Sequence, residues 1–372
     1  MCPSVTFAGF QPMPQSKGCK AFVADQALGY ACSNAFCELV MLSFPSVDIR
    51  NDVRSADLTD VLHALSKPTL LKGLVADWPA VERAKRAPEV FIEYLKTCDA
   101  GKPLETFRQA PGGDGKYFYD EDSTGFNFQR APIPLKITLD RLNRLRGQAG
   151  AERIYIQSAP LKDFMPRFKA ENPLNVPGAE PRIWIGNPSV TQTHFDINYN
   201  LVCLVAGRKR FVLFPPDQTK NLYMGPLEAT VSGVPTSMAS LENPDFDAHP
   251  LFRQALDAAM VAELEPGDAL YIPYMWWHHV SSTDDLNVQV NYWWNTVGAE
   301  MGAPMQVLML ALLSLRDLPT DQNAAWKAMF DHLVFSGDTG GHLMPEMRGI
   351  LGDMASDQRV MIRRAIGRNL QD

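Results

Sequence analysis

Between residues 150 and 297 the chain carries six short β-rich runs with no long helical pattern between them. They are RIYIQS (153–158), RIWIG (182–186), LVCLVAG (201–207), RFVLFPP (210–216), ALYIP (269–273) and NVQVNYWW (287–294). Gly, Pro, Asn and Asp separate the runs and mark turns. Short strands without intervening helices pair antiparallel, so the pattern predicts a β-sandwich or a β-barrel. The Pro-, Ser- and Asp-rich stretch between Pro216 and Glu263 is predicted to be an insertion.

The flanks of this β-rich part have a different pattern. The stretch 41–149 is predicted to be mostly helical, because segments such as 55–65 and 88–98 place apolar residues on one face at helical spacing. Residues 301–372 are predicted to be helical again, and their apolar run MQVLMLALLSL is too short to span a bilayer. Residues 1–40 lack clear periodicity and are predicted to be an extension of uncertain order.

Charge and cysteine usage indicate the compartment and the class of partner. The 372 residues carry a net charge of −7, which disfavours a nucleic-acid-binding surface. The cysteines show no zinc-ligand spacing and are predicted to be reduced thiols: Cys2, Cys19, Cys32, Cys37, Cys98 and Cys203. No secretory signal is evident, so we expect a cytoplasmic protein that does not associate with a membrane.

The segment THFDINYN (193–200) places an imidazole and a carboxylate two positions apart. Because alternate side chains of a strand share a face, His194 and Asp196 are expected to point the same way. A buried carboxylate without a partner is costly, and a metal ion would compensate it. The segment therefore predicts one part of a metal site.

A third ligand is expected from the downstream segment that ends in two adjacent histidines, His278 and His279. Strand alternation allows only one of the two to point inward and does not decide which one. Two histidines and one carboxylate leave coordination positions open, as in non-haem Fe(II) oxygenases. A closed zinc site would need a fourth ligand, and the lone Cys203 on an apolar strand is predicted to be core instead.

Four segments in this order, SVTQTHFD, AGRKRFVLFPPD, EPGDALYIPYMWWHHV and VNYWWN, resemble the JmjC, cupin-type 2-oxoglutarate oxygenases. That family includes the asparaginyl hydroxylase known as factor inhibiting hypoxia-inducible factor and bacterial cupin-like relatives. The resemblance covers about residues 155–295. It implies a mainly β fold with flanking helices, in which residues 150–300 form a double-stranded β-helix of the jelly-roll or cupin type. It also implies a homodimer formed through the helical region 301–372.

The resemblance further implies the residues of the site. Fe(II) would be held by His194, Asp196 and His278, which selects His278 over its neighbour. The distal carboxylate of 2-oxoglutarate would pair with Lys209 and with the hydroxyl groups of Thr191 and Tyr155. The amides of Asn200 and Asn291 would hold the co-substrate near the metal. Candidates on the substrate side are Gln157, Tyr119 and Trp293.

The implied reaction is the oxidative decarboxylation of 2-oxoglutarate to succinate, coupled to hydroxylation of a C–H bond. A side chain of a protein or peptide is the expected substrate. Alternatives within the fold are a tRNA-nucleoside hydroxylase, which the negative net charge disfavours, and a lysine demethylase. A non-catalytic metal-binding cupin is a further alternative, but a degenerate relative would typically have lost a metal ligand or the co-substrate lysine.

Overall fold

The computed structural model describes residues 43–370 except 123–124, 232, 299–301 and 338–339. The predicted extension at 1–40 lies outside these residues. The chain divides into two compact units, the first ending at Trp294 and the second beginning at Asn295. The first unit contains the β-rich part.

The described part of the first unit contains 14 strands. They are β1 Asp48–Arg50, β2 Thr69–Leu71, β3 Pro103–Gln109, β4 Lys116–Tyr117, β5 Gln129–Pro134, β6 Arg153–Pro160, β7 Glu180–Gly186, β8 Ser189–Phe195, β9 Tyr199–Ala206, β10 Lys209–Phe214, β11 Met260–Leu264, β12 Ala269–Ile272, β13 Trp277–Ser282 and β14 Asn287–Trp294. All six predicted runs are strands. The sequence pattern alone did not delimit β8, β11 and β13.

The strands form two sheets, with the order β1-β2-β12-β9-β14-β7-β6-β3-β5 in the larger and β11-β10-β13-β8-β4 in the smaller. The eight consecutive strands β7 to β14 are shared equally between them, and within this set the pairings are antiparallel. Two four-stranded antiparallel layers built from eight consecutive strands are a jelly roll. The predicted mainly β fold with a cupin-type core is therefore confirmed.

The helices of the first unit are short and lie mostly before β7. They are α1 Leu58–Ala64, α2 Pro79–Arg86, α3 Pro88–Thr97, α4 Leu135–Leu145, α5 Leu161–Phe164, α6 Pro166–Glu171 and α7 Phe252–Asp257. The stretch 41–149 is mixed rather than mostly helical, since it contains β1 to β5 as well as α1 to α4. These strands extend both sheets and pair with distant partners, for example β2 with β12. Local periodicity does not reveal such pairing.

Strand β14 illustrates how the sequence forms both a core and a site. Its alternate residues Val288, Val290 and Tyr292 belong to the large apolar cluster that also contains Phe91 of α3. Burial of an apolar side chain such as valine or phenylalanine stabilises the folded state by roughly 1.5–3 kcal/mol. The intervening positions face the space between the two sheets, so this inner face receives polar residues while the outer face supports the fold.

The second unit contains three described α-helices, α8 Pro304–Leu315, α9 Thr320–Phe330 and α10 Ser356–Asn369. Its apolar side chains are largely exposed, with Leu313 at 85% and Phe335 at 74% exposure. Across the described part of the chain, no helix combines the length and the apolar character that a membrane span requires.

Candidate metal centre and co-substrate pocket

Two side chains from the adjacent strands β8 and β13 meet a third, from the residue that follows β8, between the sheets. His194 near the end of β8 pairs directly with His278 of β13, and their ring centroids are 4.3 Å apart. Asp196 follows β8, and its Oδ2 lies 3.7 Å from Nε2 of His278. One ligand atom from each residue lies within 4.8 Å of the other two. The pairing of β8 with β13 thus brings together the residues predicted from two segments about 80 positions apart.

Backbone carbonyl groups fix the orientation of both imidazole rings. Nδ1 of His194 lies 2.8 Å from the carbonyl oxygen of Gln192, and Nδ1 of His278 lies 3.0 Å from that of Trp276. A carbonyl oxygen can only accept, so the hydrogen of each neutral ring sits on Nδ1. Nε2 of both rings therefore keeps a lone pair, and an outer hydrogen bond of this kind is typical of metal-bound histidine.

Burial sets the charge state of this cluster. It lowers the pKa of His194 to about 4, and burial together with the neighbouring His194 lowers the pKa of His278 to about 4. Both rings are therefore neutral at pH 7, the form that binds metals. Burial also raises the pKa of Asp196 above its ordinary value. Two neutral nitrogen donors and one buried carboxylate that lacks a full counter-charge fit a divalent cation such as Fe(II).

The two adjacent histidines have different surroundings although each is 3% exposed. His278 pairs across the sheet with Leu213. Leu213 packs between the two sheets in a cluster that includes Val202 and Leu270, the inner apolar cluster, so the ring of His278 faces inward. His279 lies on the other face, where its Nε2 is 2.7 Å from Oε1 of Glu242 in the insertion. The structure therefore places His278, not His279, beside the other two candidate ligands. Cys203 is fully buried, as predicted, in the large apolar cluster that contains Val288 and Val290. We call it the outer apolar cluster.

Lys209 starts β10 and points into the same inner space. It is 4% exposed, and its Nζ donates to Oε1 of Gln289 at 2.6 Å. Among the described residues no carboxylate pairs with it, and burial lowers its pKa to about 7. A buried ammonium group without a counter-charge is costly, so the space beside Lys209 is suited to an anionic group of a ligand.

A small cavity contains three of the predicted residues. Tyr155, Gln157 and Thr191 line it, and the ring of Tyr155 lies 5.9 Å from Nζ of Lys209. Thr191 stands three positions before His194, a spacing that would place the two on opposite faces of a regular strand. The register of β8 against β13 shifts between His278 and Val280, which makes a bulge and turns both side chains inward.

The remaining predicted residues are distributed as follows. Asn200 and Asn291 are buried and hydrogen-bonded to each other, and Asn200 Nδ2 donates to Asp196 Oδ2 at 3.2 Å. Trp293 lies on the inner face of β14, with its ring centroid 5.3 Å from that of Trp184. Tyr119 does not line the cavity, and its hydroxyl group donates to the carbonyl oxygen of Ala229 at 2.6 Å.

Sequence reasoning missed three residues of this region. Tyr117 lines the cavity, and its buried hydroxyl group has no hydrogen-bond partner among the described residues. Gln289 contacts Lys209, and Glu242 holds His279. The alternation of polar and apolar residues in NVQVNYWW is the signal that could have identified Gln289, because it places this residue on the face of Asn291.

The chain matches one protein family and resembles several known proteins over part of their length. The family model described as cupin-like domain matches residues 56–300. The lysine-specific demethylase JMJ31 of Arabidopsis thaliana is 40% identical over 106 residues, which cover 28% of this chain and 19% of that protein. The HSPB1-associated protein 1 of Bos taurus is 30% identical over 258 residues, 63% of this chain and 49% of its own.

A third relative is the tRNA wybutosine-synthesizing protein 5 of Gallus gallus. It is 33% identical over 144 residues, which cover 35% of this chain and 42% of that protein. The chain therefore spans between roughly a fifth and a half of the length of these curated relatives.

Proposed function

The chain belongs to the cupin-like domain family, and we propose that it is an Fe(II)- and 2-oxoglutarate-dependent oxygenase that hydroxylates a side chain of a protein or peptide. One observation carries the proposal. His194, Asp196 and His278 present their ligand atoms within 4.8 Å of one another, and the same inner space holds the buried cation Lys209. A metal-binding triad and an uncompensated lysine together match a dicarboxylate that chelates a metal at one end.

Bound iron would supply the activation of dioxygen, with 2-oxoglutarate as the electron donor that leaves as succinate and carbon dioxide. The residues of the chain position the co-substrate and neutralise its charge. Lys209 pairs with the distal carboxylate, and the hydroxyl groups of Thr191 and Tyr155 complete its hydrogen bonds. Asn200 and Asn291 hold the other end of the co-substrate, and Gln157 and Trp293 face the substrate. The apolar residues between the sheets exclude water, which strengthens these charge interactions.

The relatives support a protein substrate and keep one alternative open. JMJ31 is named as a lysine-specific demethylase, which acts on a protein, and a second relative is named for its association with HSPB1. The tRNA wybutosine-synthesizing relative favours tRNA as the second candidate substrate. We favour protein because the net charge of −7 opposes binding to a polyanion.

Succinate release from 2-oxoglutarate, measured with anaerobically loaded Fe(II) protein, tests the function. Peptide libraries, lysate protein and tRNA serve as substrates in separate reactions, and mass spectrometry searches each for the mass of one added oxygen. We expect release and an oxidised side chain with protein or peptide, and neither with an Asp196→Ala control. Product in the tRNA reaction alone would replace the protein substrate, and loss of a methyl group from lysine would identify a demethylase. Metal binding without any turnover would indicate a non-catalytic cupin.

The second unit supports a homodimer as part of this proposal. Leu313 and Val307 of α8 are 85% and 62% exposed, and Phe335 is 74% exposed. Exposed apolar surface of this kind is characteristic of an interface, and a second copy of the chain is the proposed partner. Light scattering should give twice the 41.4 kDa of the chain at micromolar concentration. Leu313→Glu should lower that mass, whereas Ile137→Glu, at a 56% exposed apolar residue of the first unit, should not. A monomeric wild-type protein would contradict the dimer.

The proposal places the protein in the cytoplasm. Cys98 and Cys203 are buried free thiols, as expected in a reducing compartment. Fractionation of the native cells with an antibody to the chain would test this location.

A further inference from the structure

A line of four hydrogen bonds runs between the two sheets from Lys209 to Asp196. Lys209 Nζ donates to Gln289 Oε1 at 2.6 Å, and Gln289 Nε2 donates to Asn291 Oδ1 at 2.8 Å. Asn291 Nδ2 donates to Asn200 Oδ1 at 3.1 Å, and Asn200 Nδ2 donates to Asp196 Oδ2 at 3.2 Å. We call these five side chains the amide relay. It links the cationic end of the pocket to a candidate metal ligand.

The direction of the relay follows from its two ends. An ammonium group can only donate and an ionised carboxylate can only accept. Gln289 must therefore turn its oxygen toward Lys209, which leaves its NH2 group to donate onward. Each following amide is oriented in the same sense, until the last one donates to Asp196. The three amides are between 1% and 5% exposed, so water does not compete for these bonds.

Gln289 is the link that connects Lys209 to the other two amides. It contacts Lys209 and Asn291 and is separated from Asp196 by two other amides. Its neighbours Val288 and Val290 face the outer apolar cluster and secure β14, so the strand does not need the amide of Gln289 for packing. Without the NH2 group of Gln289, Asn291 Oδ1 loses its donor, and only the contact with Asp196 still orients the amides of Asn291 and Asn200.

We propose that Gln289 is a positioning residue of this site, which holds Lys209 toward the distal carboxylate and keeps the donors of Asn291 and Asn200 turned toward Asp196. The co-substrate part of this inference rests on the proposed function. The metal part rests on the relay alone. The chelated end of 2-oxoglutarate would lie at Asn200 and Asn291 and its far end at Lys209, so Gln289 connects the groups that receive both ends.

Two variants separate the two contacts of Gln289. Gln289→Met keeps the length of the side chain and removes both hydrogen bonds. Gln289→Glu keeps an oxygen for Lys209 and removes the donor to Asn291. Titration of Mn(II) into the full-length apoprotein, without 2-oxoglutarate, should show weaker binding in both variants. We expect Mn(II) affinity to fall by about 3- to 10-fold. This is less than the about 10- to 100-fold loss that is typical when a residue hydrogen-bonded directly to a metal ligand is removed.

Asn172→Leu is the control for a purely structural effect. Asn172 is also a buried amide, which accepts from the backbone of Ala80 and donates to Tyr94 far from β14 along the chain. Its removal should lower the denaturation midpoint and leave Mn(II) affinity unchanged. Mn(II) affinity within twofold of the wild type in both folded Gln289 variants would overturn the relay. Loss of affinity in Gln289→Met alone would overturn it too, since Gln289→Glu also lacks the donor to Asn291.

Binding of 2-oxoglutarate to the Fe(II) protein tests the proposed role of Gln289 toward Lys209. The absorbance of the chelate measures this binding. We expect a loss of about tenfold in Gln289→Met, the effect of one hydrogen bond to a charged group. Gln289→Glu should lose more, because its new carboxylate pairs with Lys209 in place of the co-substrate. Unchanged affinity in both variants would refute the role toward Lys209. If the wild-type protein binds Mn(II) but not 2-oxoglutarate, the proposed function fails, and the Mn(II) titration still decides the relay.

Discussion

The two faces of β13 carry adjacent histidines that are buried to the same degree but make different contacts. On the inner face, His278 Nε2 lies 3.7 Å from Asp196, beyond hydrogen-bonding distance, and beside His194. On the outer face, His279 Nε2 lies 2.7 Å from Glu242, whose other oxygen is 3.0 Å from Nζ of Lys116. The inner histidine keeps a lone pair, while the outer one is already bound within the protein.

The difference shows that burial does not identify a metal ligand. Both residues are 3% exposed, and both sit in a polar cluster with a carboxylate. On the outer face Lys116 supplies the cation that the carboxylate needs. Burial alone would raise the pKa of Glu242, but the charges of His279 and Lys116 hold it well below its ordinary value. On the inner face no such side chain accompanies Asp196 among the described residues, and the proposed metal ion would supply the missing charge.

The largest expected effect separates the two histidines directly. His278→Ala should abolish turnover and weaken Mn(II) binding. The loss of affinity should exceed the about 10- to 100-fold that follows removal of a residue hydrogen-bonded to a metal ligand. His279→Ala should keep Mn(II) affinity within about threefold, because His279 points away from the site. Calorimetric titration of both apoproteins measures this contrast. Equal losses in the two variants would erase the distinction between the faces.

The second effect concerns the cation on the inner face. Lys209→Ala should weaken 2-oxoglutarate binding by about 100-fold or more, because loss of one partner of a buried ion pair costs about 3–5 kcal/mol. Metal affinity should fall much less, by no more than the about 3- to 10-fold expected when the amide relay loses one contact. Arg210→Ala is the matched control, since Arg210 is the next residue of β10 and pairs with Glu263 on the other face. Absorbance titration of the Fe(II) chelate is the measurement, and unchanged affinity in Lys209→Ala would remove Lys209 from the co-substrate site.

The third effect concerns the outer face alone. Glu242→Ala leaves His279 and Lys116 without their shared carboxylate, and we expect the free energy of unfolding to fall by about 2 kcal/mol. This is less than the 3–5 kcal/mol of a fully buried pair because 26% of the Glu242 side chain is exposed. Urea denaturation measures the change, and Mn(II) affinity should be unaffected. Glu228→Ala, at an exposed residue of the same insertion, should stay within about 0.5 kcal/mol of the wild type.

The fourth effect is a pH dependence that arises from Lys209. Burial lowers its pKa to about 7 from an ordinary value of 10.5. Above pH 7 the buried lysine loses its proton, so 2-oxoglutarate affinity should fall by up to about tenfold per pH unit. The unfolded chain keeps that proton until about pH 10.5, so the stability of the co-substrate-free protein should rise between these two values. Lys209→Met should flatten both trends. A wild-type affinity that is constant from pH 7 to 9 would contradict the neutral buried lysine.

Part of the proposed site was predictable from local patterns, and the rest was implied by the family resemblance. The alternation within NVQVNYWW predicts a strand with one polar face, and His194 and Asp196 at positions two apart predict a shared face. The four motif segments in order predicted the jelly-roll core, and the family match over residues 56–300 agrees with it. Strands β1 to β5 were not foreseen, since three-residue strands such as β1 and β2 have too few residues to show a period.

By itself, the sequence determined which residues of a strand share a face, because the side-chain period of two is a property of the backbone. Only the tertiary structure decided which face is the inner one. The pairing of β13 with β10 and β8 turns His278 inward, and the bulge in that ladder brings Thr191 to the side of His194. Glu242 and Gln289 gain their roles from contacts with residues 37 and 80 positions away along the chain, His279 and Lys209. Such contacts depend on the register between distant strands, which no local pattern encodes.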